Sequence, residues 1–186
     1  SHQSRCGDGV KLTVVGCAGS FPRPESAASC YLVEHEGFRI LLDLGSGALG
    51  PLQRFAELSE IDAVLLSHLH PDHFADMCGF FVARRYGPDG IFPPIPVFGP
   101  GNVHTRLDQA YGVERDARMS DVFDVQVHPE TAFELGPFTI QTTRVDHPIE
   151  AYATRVEAGG SVLTYSGDTA LCDSLVNAAR DADVAL

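Results

Sequence analysis

Three histidines and two aspartates fall within ten residues of the chain, in SHLHPDHFAD at positions 67–76. His68 and His70 lie two residues apart and directly follow an apolar run, IDAVLL. Successive side chains of an extended segment alternate faces, so His68 and His70 are expected to point the same way. These two imidazoles are therefore candidates to share one metal ion.

A helix is expected to begin at Pro71, because proline is favoured at the first helical position. The change of direction turns Asp72 and His73 toward a second point beside the first pair. Imidazole and carboxylate are ligands suited to zinc, iron or manganese, and no thiolate lies nearby to make a closed structural site. The segment thus predicts half-sites for two metal ions, and the alternative interpretation is a solvated polar turn.

Two more candidates follow predicted strands further along the chain, His147 in TTRVDHP and Asp168 in LTYSGDT. Functional groups of α/β sheets gather beyond the carboxyl ends of strands. An aspartate has two oxygens and is able to bridge a pair of cations. The alternatives are a hydrogen-bonded surface histidine for His147 and a helix N-cap for Asp168.

The elements that would position these residues are predicted from hydrophobic periodicity and turn signals. KLTVVGC predicts a strand, CYLVEHEGFRILLDLG a hairpin that ends at Asp43, ALGPLQRFAEL a helix and DAVLLS a short buried strand. Beyond the histidines, FADMCGFFVARRYG predicts a helix closed by Gly87, and IFPPIPVFGPG a proline-bounded edge strand. A helix over 102–110 follows. The rest is predicted as strands 138–145, 151–157 and 161–166, a helix over 171–180 and a final strand ADVAL.

Length and composition fit one soluble globular α/β domain over residues 1–186, in which residues 1–9 are a tag remnant or disordered leader. The net charge of −12 and the absence of a basic arm argue against a broad nucleic-acid footprint. No apolar run has the length of a membrane span and no secretory signal is evident, so a cytoplasmic protein is expected. The five cysteines are expected to be reduced and structural, with Cys17 in packing.

SHLHPDH, with Asp43 closing LLDLG upstream and His147 and SGDT downstream, resembles the metallo-β-lactamase superfamily in order and position. VVGCAGSFPRPESAASCYLV and YSGDT resemble the branch that holds tRNase Z and cyclic nucleotide phosphodiesterases. Within it, the chain most resembles an actinobacterial group described as atypical class II cyclic AMP phosphodiesterases. The resemblance covers residues 10–186.

The resemblance implies an αββα sandwich and a dinuclear centre. One metal would be held by His68, His70 and His147, the other by Asp72 and His73, and Asp168 would bridge them. Two divalent ions are expected, zinc first, with manganese or iron as alternatives. Asp72 and Asp168 would serve catalysis, and Asp43 would orient a ligand histidine. A turn aspartate before Gly45 is the other interpretation of Asp43.

The favoured function is metal-assisted hydrolysis, in which two cations activate a water for in-line attack on a phosphodiester. The acidic chain favours a small substrate, such as a cyclic nucleotide, over a folded tRNA. RNA ends remain possible substrates. Three alternatives stay open: a carboxylic ester, thioester or lactam hydrolase, an iron redox enzyme, and an inactive metal-binding domain or fragment. No Ser-His-Asp or Cys-His pairing is evident.

The family pattern continues past ADVAL with a strand and helices that carry a last histidine ligand and a histidine that assists the leaving group. The second half of the sandwich is therefore expected to be incomplete, and a homodimer through the final strand or a weakened second metal site is expected. His35, His104 and His128 are expected to be exposed or capping residues. Arg84 and Arg85 either contact an anionic substrate or complement a helix C-terminus.

Overall fold

The computed structural model of the chain describes residues 9–112 and 119–186. The predicted leader, apart from Gly9, and Cys6 lie outside the described residues. Two β-sheets pack face to face, and helices cover their outer faces. No helix in the described parts of the chain combines the length and the hydropathy needed to cross a bilayer.

The first sheet has seven strands in the order β2-β1-β3-β4-β5-β6-β7. The β3–β4 pair is the predicted hairpin, and β4, β5, β6 and β7 run parallel to one another. Its strands are β1 (Lys11–Ala18), β2 (Ala27–Ala28), β3 (Cys30–His35), β4 (Phe38–Leu42), β5 (Ala63–Leu65), β6 (Ile95–Gly99) and β7 (Phe123–Val127).

The second sheet has five strands in the order β12-β11-β10-β9-β8. A meander of antiparallel strands from β8 to β11 is completed by β12, which runs parallel to β11. Gly159 and Gly160 adopt positive φ at the β10–β11 turn, as a tight hairpin requires. The strands are β8 (Phe133–Leu135), β9 (Phe138–Arg144), β10 (Tyr152–Ala158), β11 (Ser161–Tyr165) and β12 (Val184–Ala185).

The central strands of the first sheet are apolar on both faces because each face is covered. Ile40 and Leu42 pack between the two sheets with Phe138 and Ile140, whereas Leu41 packs against the helices with Phe80. This alternation within one strand follows from the pleat. The αββα sandwich is thereby confirmed. The helices are α1 (Leu49–Leu52), α2 (Pro71–Phe74), α3 (Met77–Tyr86) and α4 (Val103–Tyr111) on the first sheet and α5 (Asp173–Ala178) on the second.

The prediction of β6 as an edge strand was wrong, because β6 lies between β5 and β7. Pro96 has no N–H to donate, yet β6 is able to lie in the interior of the sheet. The neighbouring residue Ile95 donates its N–H toward the β7 side, to Val122 O at 3.2 Å, so the Pro96 nitrogen faces β5. The β5 pairing begins only at Val97, and the missing donor therefore breaks no ladder bond.

Two helices differ from their predicted bounds. The helix predicted in ALGPLQRFAEL is a single turn, and the helical stretch predicted from Pro71 to Gly87 divides into α2 and α3. The division falls at Asp76, whose carboxylate accepts N–H groups of Gly47 at 3.1 Å and Leu49 at 2.8 Å. Asp76 thus joins the start of α1 to the start of α3. Strands β2, β7 and β8 were not predicted.

Candidate metal centre

The histidine segment follows β5, the short buried strand near the middle of the first sheet. His68 is fully buried, and His70 has extended backbone angles of φ −79° and ψ 146°. Pro71 is the first residue of α2, as predicted, and α2 carries Asp72 and His73. The change from strand to helix at His70 therefore turns the second pair of side chains away from the line of the first.

His68, His70 and His147 form a first group of possible metal ligands, whose donor atoms all lie within 4.8 Å of one another. Nε2 of His147 is 3.1 Å from Nδ1 of His70. His147 comes from the loop between β9 and β10, so this group takes donors from both sheets. The structure brings these three predicted residues together.

His68, His73 and Asp168 form a second group with the same spacing, and it shares His68 with the first. Asp168 follows β11, with Oδ1 3.3 Å from Nε2 of His73 and Oδ2 4.0 Å from Nε2 of His68. Asp72 lies beside this group, with Oδ2 3.3 Å from the same His73 nitrogen. The carboxylate of Asp168 therefore faces both groups. It does not cap α5, which begins at Asp173.

The N-terminal loop also reaches the centre. The backbone N–H of Ser20, in the loop after β1, donates to Oδ2 of Asp72 at 3.0 Å. This hydrogen bond fixes the orientation of the carboxylate of a buried residue. The small-residue loop is thus part of the wall of the site.

Asp43 lies under the centre, fully buried, at the end of β4. Its Oδ1 accepts the N–H of Ser67 at 2.7 Å, and its Oδ2 accepts from the hydroxyl of Ser67 at 2.7 Å, Nδ1 of His73 at 2.6 Å and the hydroxyl of Tyr165 at 2.5 Å. The Ser67 hydroxyl also lies 3.0 Å from Nδ1 of His68. Asp43 therefore directs Nε2 of His73 toward Asp72 and Asp168, as carboxylates behind metal-ligating histidines do.

Two glycines let the backbone segments of the centre approach closely. A Cβ on Gly45 would lie 1.9 Å from the carbonyl oxygen of Asp72, and a Cβ on Gly167 would lie 2.8 Å from Cβ of Ser67. Gly167 also has a positive φ of 57°, which disfavours other residues. The segments that hold Asp43 and Asp168 are therefore packed directly against the histidine segment.

The electrostatics of three histidines of the centre differ. Burial, and then the nearby His73, lower the pKa of His68 to about 4. Burial also disfavours charge on His73, but the hydrogen bond and the charge of Asp43, with Asp168 and Asp72, outweigh it and raise the pKa of His73 to about 9. Burial and the neighbouring His70 lower the pKa of His147, against the opposing effect of Asp168. At neutral pH, His68 and His147 therefore offer neutral imidazole nitrogens, whereas His73 keeps its proton among the carboxylates.

The donor set fits divalent cations. Nε2 of His68 is buried and has no hydrogen-bond partner among the described residues, although it points to where both ligand groups meet. A buried unpaired nitrogen of this kind costs free energy unless something coordinates it. Imidazole nitrogens and carboxylate oxygens without thiolates suit zinc, manganese or iron. A cation there would also neutralise the carboxylates around His73.

Sequence reasoning missed three residues that support the centre. Ser67 and Tyr165 join Asp43 in one network, and His128 donates from Nε2 to the carbonyl of Leu66 at 2.8 Å. Tyr165 stands immediately before the SGDT motif, which is the one local signal that pointed to it. His128 gives no local signal, because its partner is 62 residues away.

Several single-residue predictions were wrong. His35 and His128 are buried, at 7% and 6% exposure, because His35 packs near the Phe138 ring and His128 packs against the Tyr152 ring. Of the two interpretations of Arg84, contact with a substrate is wrong, because the side chain is buried and donates to the carbonyl of Pro93 at 2.6 Å. Its place in the last turn of α3 agrees with the other interpretation. Cys17 is exposed and does not pack in the core. The free state predicted for the cysteines holds for those that the structure describes.

The amino-acid sequence of the chain is similar to those of several known proteins. Residues 38–186 match the family described as "Beta-lactamase superfamily domain". An uncharacterized protein of Mycobacterium tuberculosis is 43% identical over 183 residues, which cover 95% of this chain and 66% of that protein. The probable metallo-hydrolase YhfI of Bacillus subtilis is 32% identical over 182 residues, covering 94% and 70%. A ribonuclease Z of Mycobacterium bovis is 30% identical over 193 residues, covering 94% and 68%.

The chain thus spans about two-thirds of the length of the curated relatives that it matches. Among solved structures, YhfI of Bacillus subtilis superposes with a TM-score of 0.82 at 29% identity, over 95% of this chain and 70% of that one. The short form of human tRNase Z superposes with a TM-score of 0.72 at 22% identity, over 94% and 76%. At that identity the second likeness shows the fold alone.

Proposed function

Since the chain belongs to the beta-lactamase superfamily, we propose that it is a metal-dependent hydrolase that cleaves phosphodiesters, with cyclic nucleotides or RNA ends as substrates. The observation that carries the proposal is the pair of ligand groups that share the buried His68, with Asp168 facing both. In this assignment His68, His70 and His147 would hold one cation, Asp72 and His73 would hold the other, and Asp168 would serve both.

Divalent cations, zinc first and manganese or iron as alternatives, would supply Lewis acidity and the positive charge that an anionic substrate needs. The residues of the chain supply orientation. Asp43 and Ser67 fix the rings of His73 and His68, and the Ser20 N–H fixes Asp72. Asp168 is 49% exposed at its side chain, so it lies at the mouth of the site, where it would orient the attacking water.

The charge of the chain favours a small substrate. Asp and Glu number 25 against 13 Lys and Arg, and a folded tRNA is bound mainly through its phosphates by basic residues. A cyclic nucleotide presents a single phosphate, whose charge two cations would neutralise. The name of the ribonuclease Z relative supports phosphodiester chemistry but describes that protein.

The test joins metal analysis to a substrate panel. The protein is stripped with a chelator and reloaded with zinc, manganese or iron in turn, and bound metal is measured by mass spectrometry of the elements. Each form is then assayed with cyclic AMP, an aryl phosphodiester, a precursor tRNA, a β-lactam and a thioester. We expect hydrolysis of the two small phosphodiesters. Turnover of the lactam or thioester alone would replace the proposal with the ester hydrolase alternative.

Two variants show whether the activity comes from this site. His147→Ala removes a ligand from an exposed loop and is expected to lower bound metal and to reduce kcat/KM by at least 100-fold. His104→Ala is the matched control, because His104 lies on α4 with 58% of its side chain exposed. Equal activity of the two variants would assign the hydrolysis to another site or to a contaminant.

A further inference from the structure

A cavity of about 320 Å³ opens directly beside the metal centre. It lies between the start of α4 and the loop that follows His147, and it is lined by Leu69, His70, Asn102, Arg106, Ile149 and Glu150. Because His70 borders both the cavity and the first ligand group, a molecule whose phosphate lies at the metals would extend into this space. Volumes of this order hold ligands of the size of one nucleoside.

Arg106 supplies the only guanidinium among the described residues of this lining. Its side chain is exposed and its guanidinium carbon lies 5.9 Å from the centroid of the Phe74 ring. Within residues 9–112 and 119–186, no carboxylate pairs with Arg106, whereas Arg39, Arg85 and Arg155 each pair with one. In so acidic a chain, an unpaired arginine beside the centre is available to a ligand.

Glu150 lines the same cavity and pairs with Arg144, whose Nη1 lies 3.9 Å from Oε1 of Glu150. Its Oε1 accepts the N–H of Gly101 at 3.1 Å and the hydroxyl of Tyr152 at 2.8 Å, so the carboxylate is fixed in place. This carboxylate disfavours a second phosphate beside it and offers an acceptor to a hydroxyl group. A neutral group with hydroxyls is able to donate to Glu150 and to accept from Arg106. Leu69 and Ile149 add apolar surface for a flat ring.

We propose that this cavity is a specificity pocket that binds the nucleoside part of a mononucleotide phosphodiester, with Arg106 as its main polar contact. The assignment rests on the proposed function and deepens it, because it selects a substrate with a ribose and a base over a generic diester. Asn102 would hydrogen-bond to the edge of the base, and Arg106 would stack on or donate to it. Arg106 here determines specificity and does not act on the reacting atoms.

The test compares two substrates that differ in the nucleoside. Arg106→Ala is expected to lower kcat/KM for cyclic AMP at least tenfold, mainly by raising KM, and to leave kcat/KM for bis(p-nitrophenyl) phosphate within twofold. Arg180→Ala, which removes an exposed arginine after α5, is the charge-matched control and should change neither value. An equal loss of kcat/KM on both substrates, or no loss on either, would overturn the assignment of the pocket.

A second variant guards against a misfolded protein. Ile149 is 36% exposed, so Ile149→Ala removes apolar surface from the wall of the pocket without opening a cavity in the core. This variant should also lose more kcat/KM on cyclic AMP than on bis(p-nitrophenyl) phosphate. Thermal unfolding of each variant within a few degrees of the parent shows that the fold is kept.

Direct binding separates this assignment from the proposed function. Titration calorimetry of the zinc-loaded protein should show AMP binding that Arg106→Ala weakens about tenfold, with inorganic phosphate bound equally by both. If the parent cleaves no phosphodiester yet binds AMP in this Arg106-dependent way, the phosphodiesterase assignment fails and the pocket stands. If the parent cleaves phosphodiesters and AMP binding is unchanged in Arg106→Ala, the assignment of the pocket is refuted and the phosphodiesterase assignment is kept.

Discussion

Oδ2 of Asp43 is shared by the Ser67 hydroxyl, the His73 ring and the Tyr165 hydroxyl, which come from both sheets. A carboxylate in this place holds the ring of His73 in one orientation and increases the basicity of its free nitrogen. Burial and the charge of Asp43 also raise the pKa of Tyr165 well above its ordinary value, so Tyr165 stays a hydrogen-bond donor. The network therefore fixes the ligand side chains before any cation binds.

Asp43→Asn is expected to lower the affinity for zinc by about 10- to 100-fold, as loss of a supporting carboxylate does at comparable sites. Asparagine tolerates the positive φ of 62° at this position, so the substitution changes the hydrogen bonding and not the backbone. The measurement is competition with a chromogenic chelator. Asp89→Asn, an exposed change of the same charge, is the control, and an equal affinity in both variants would contradict the prediction.

His128 leads to a prediction about pH. Burial lowers the pKa of His128 to about 4, against an ordinary value of 6.5, and the hydrogen bond to the Leu66 carbonyl opposes the shift. The unfolded chain therefore takes up a proton at a higher pH than the folded one. The contribution of a neutral His128 to stability is complete above pH 6.5 and is lost as the pH falls toward 4.

His128→Gln, which keeps a donor without a titrating group, isolates this effect. The free energy of unfolding of the parent, minus that of His128→Gln, should fall by about 2 kcal/mol between pH 7 and pH 5. Urea unfolding of the metal-free proteins at several pH values measures it, and taking the difference cancels the titration of His68 and His73. A difference that does not change with pH would show that His128 titrates normally.

At the scale of elements, the loop after β11 is held by the close approach of Gly167 to Ser67. Gly160, in the β10–β11 turn, has a positive φ of 77° but open space around it. Gly160→Ala therefore carries only the backbone cost, about 1 kcal/mol, whereas Gly167→Ala adds a collision with Ser67. We expect Gly167→Ala to be the more destabilising by about 1–2 kcal/mol in urea unfolding and to weaken zinc binding as well. Equal effects of the two substitutions would show that the loop adjusts freely.

The ligand segment could be predicted from the sequence because its geometry is local. His68, His70 and Pro71 are near neighbours, and the turn from strand to helix follows from the proline alone. The final strand and the two hairpins were predicted for the same reason, since alternation and glycine turns are short-range signals.

The supporting residues could not be predicted, because their partners are distant in the chain. The Tyr165 hydroxyl contacts a carboxylate 122 residues away, and only the packing of the two sheets brings them together. Pro129 beside His128 suggested an exposed turn, whereas the end of β7 places that ring under the Leu66 carbonyl. For β6, the prolines indicated an edge, and the shortness of β5 made an interior position possible.

At the scale of the whole molecule, the net charge of −12 should repel polyanions. If both classes of substrate are cleaved, kcat/KM for a short single-stranded RNA should rise by several-fold when KCl increases from 20 to 200 mM, because added salt screens the repulsion. The value for a cyclic nucleotide, with one phosphate, should change less than twofold under the same saturating zinc. A steep fall for RNA with added salt would instead indicate a basic binding surface.

The ligands divide between the two layers of the sandwich: His68, His70, Asp72 and His73 extend from the first sheet, and His147 and Asp168 from the second. Bound ions would therefore link the two layers of the sandwich. At a free zinc concentration one hundred times Kd, such binding stabilises the folded state by about 2.7 kcal/mol. Proteases degrade mainly the opened chain, so cells short of the metal should contain less of this protein, and its abundance should follow the supply of its own ions.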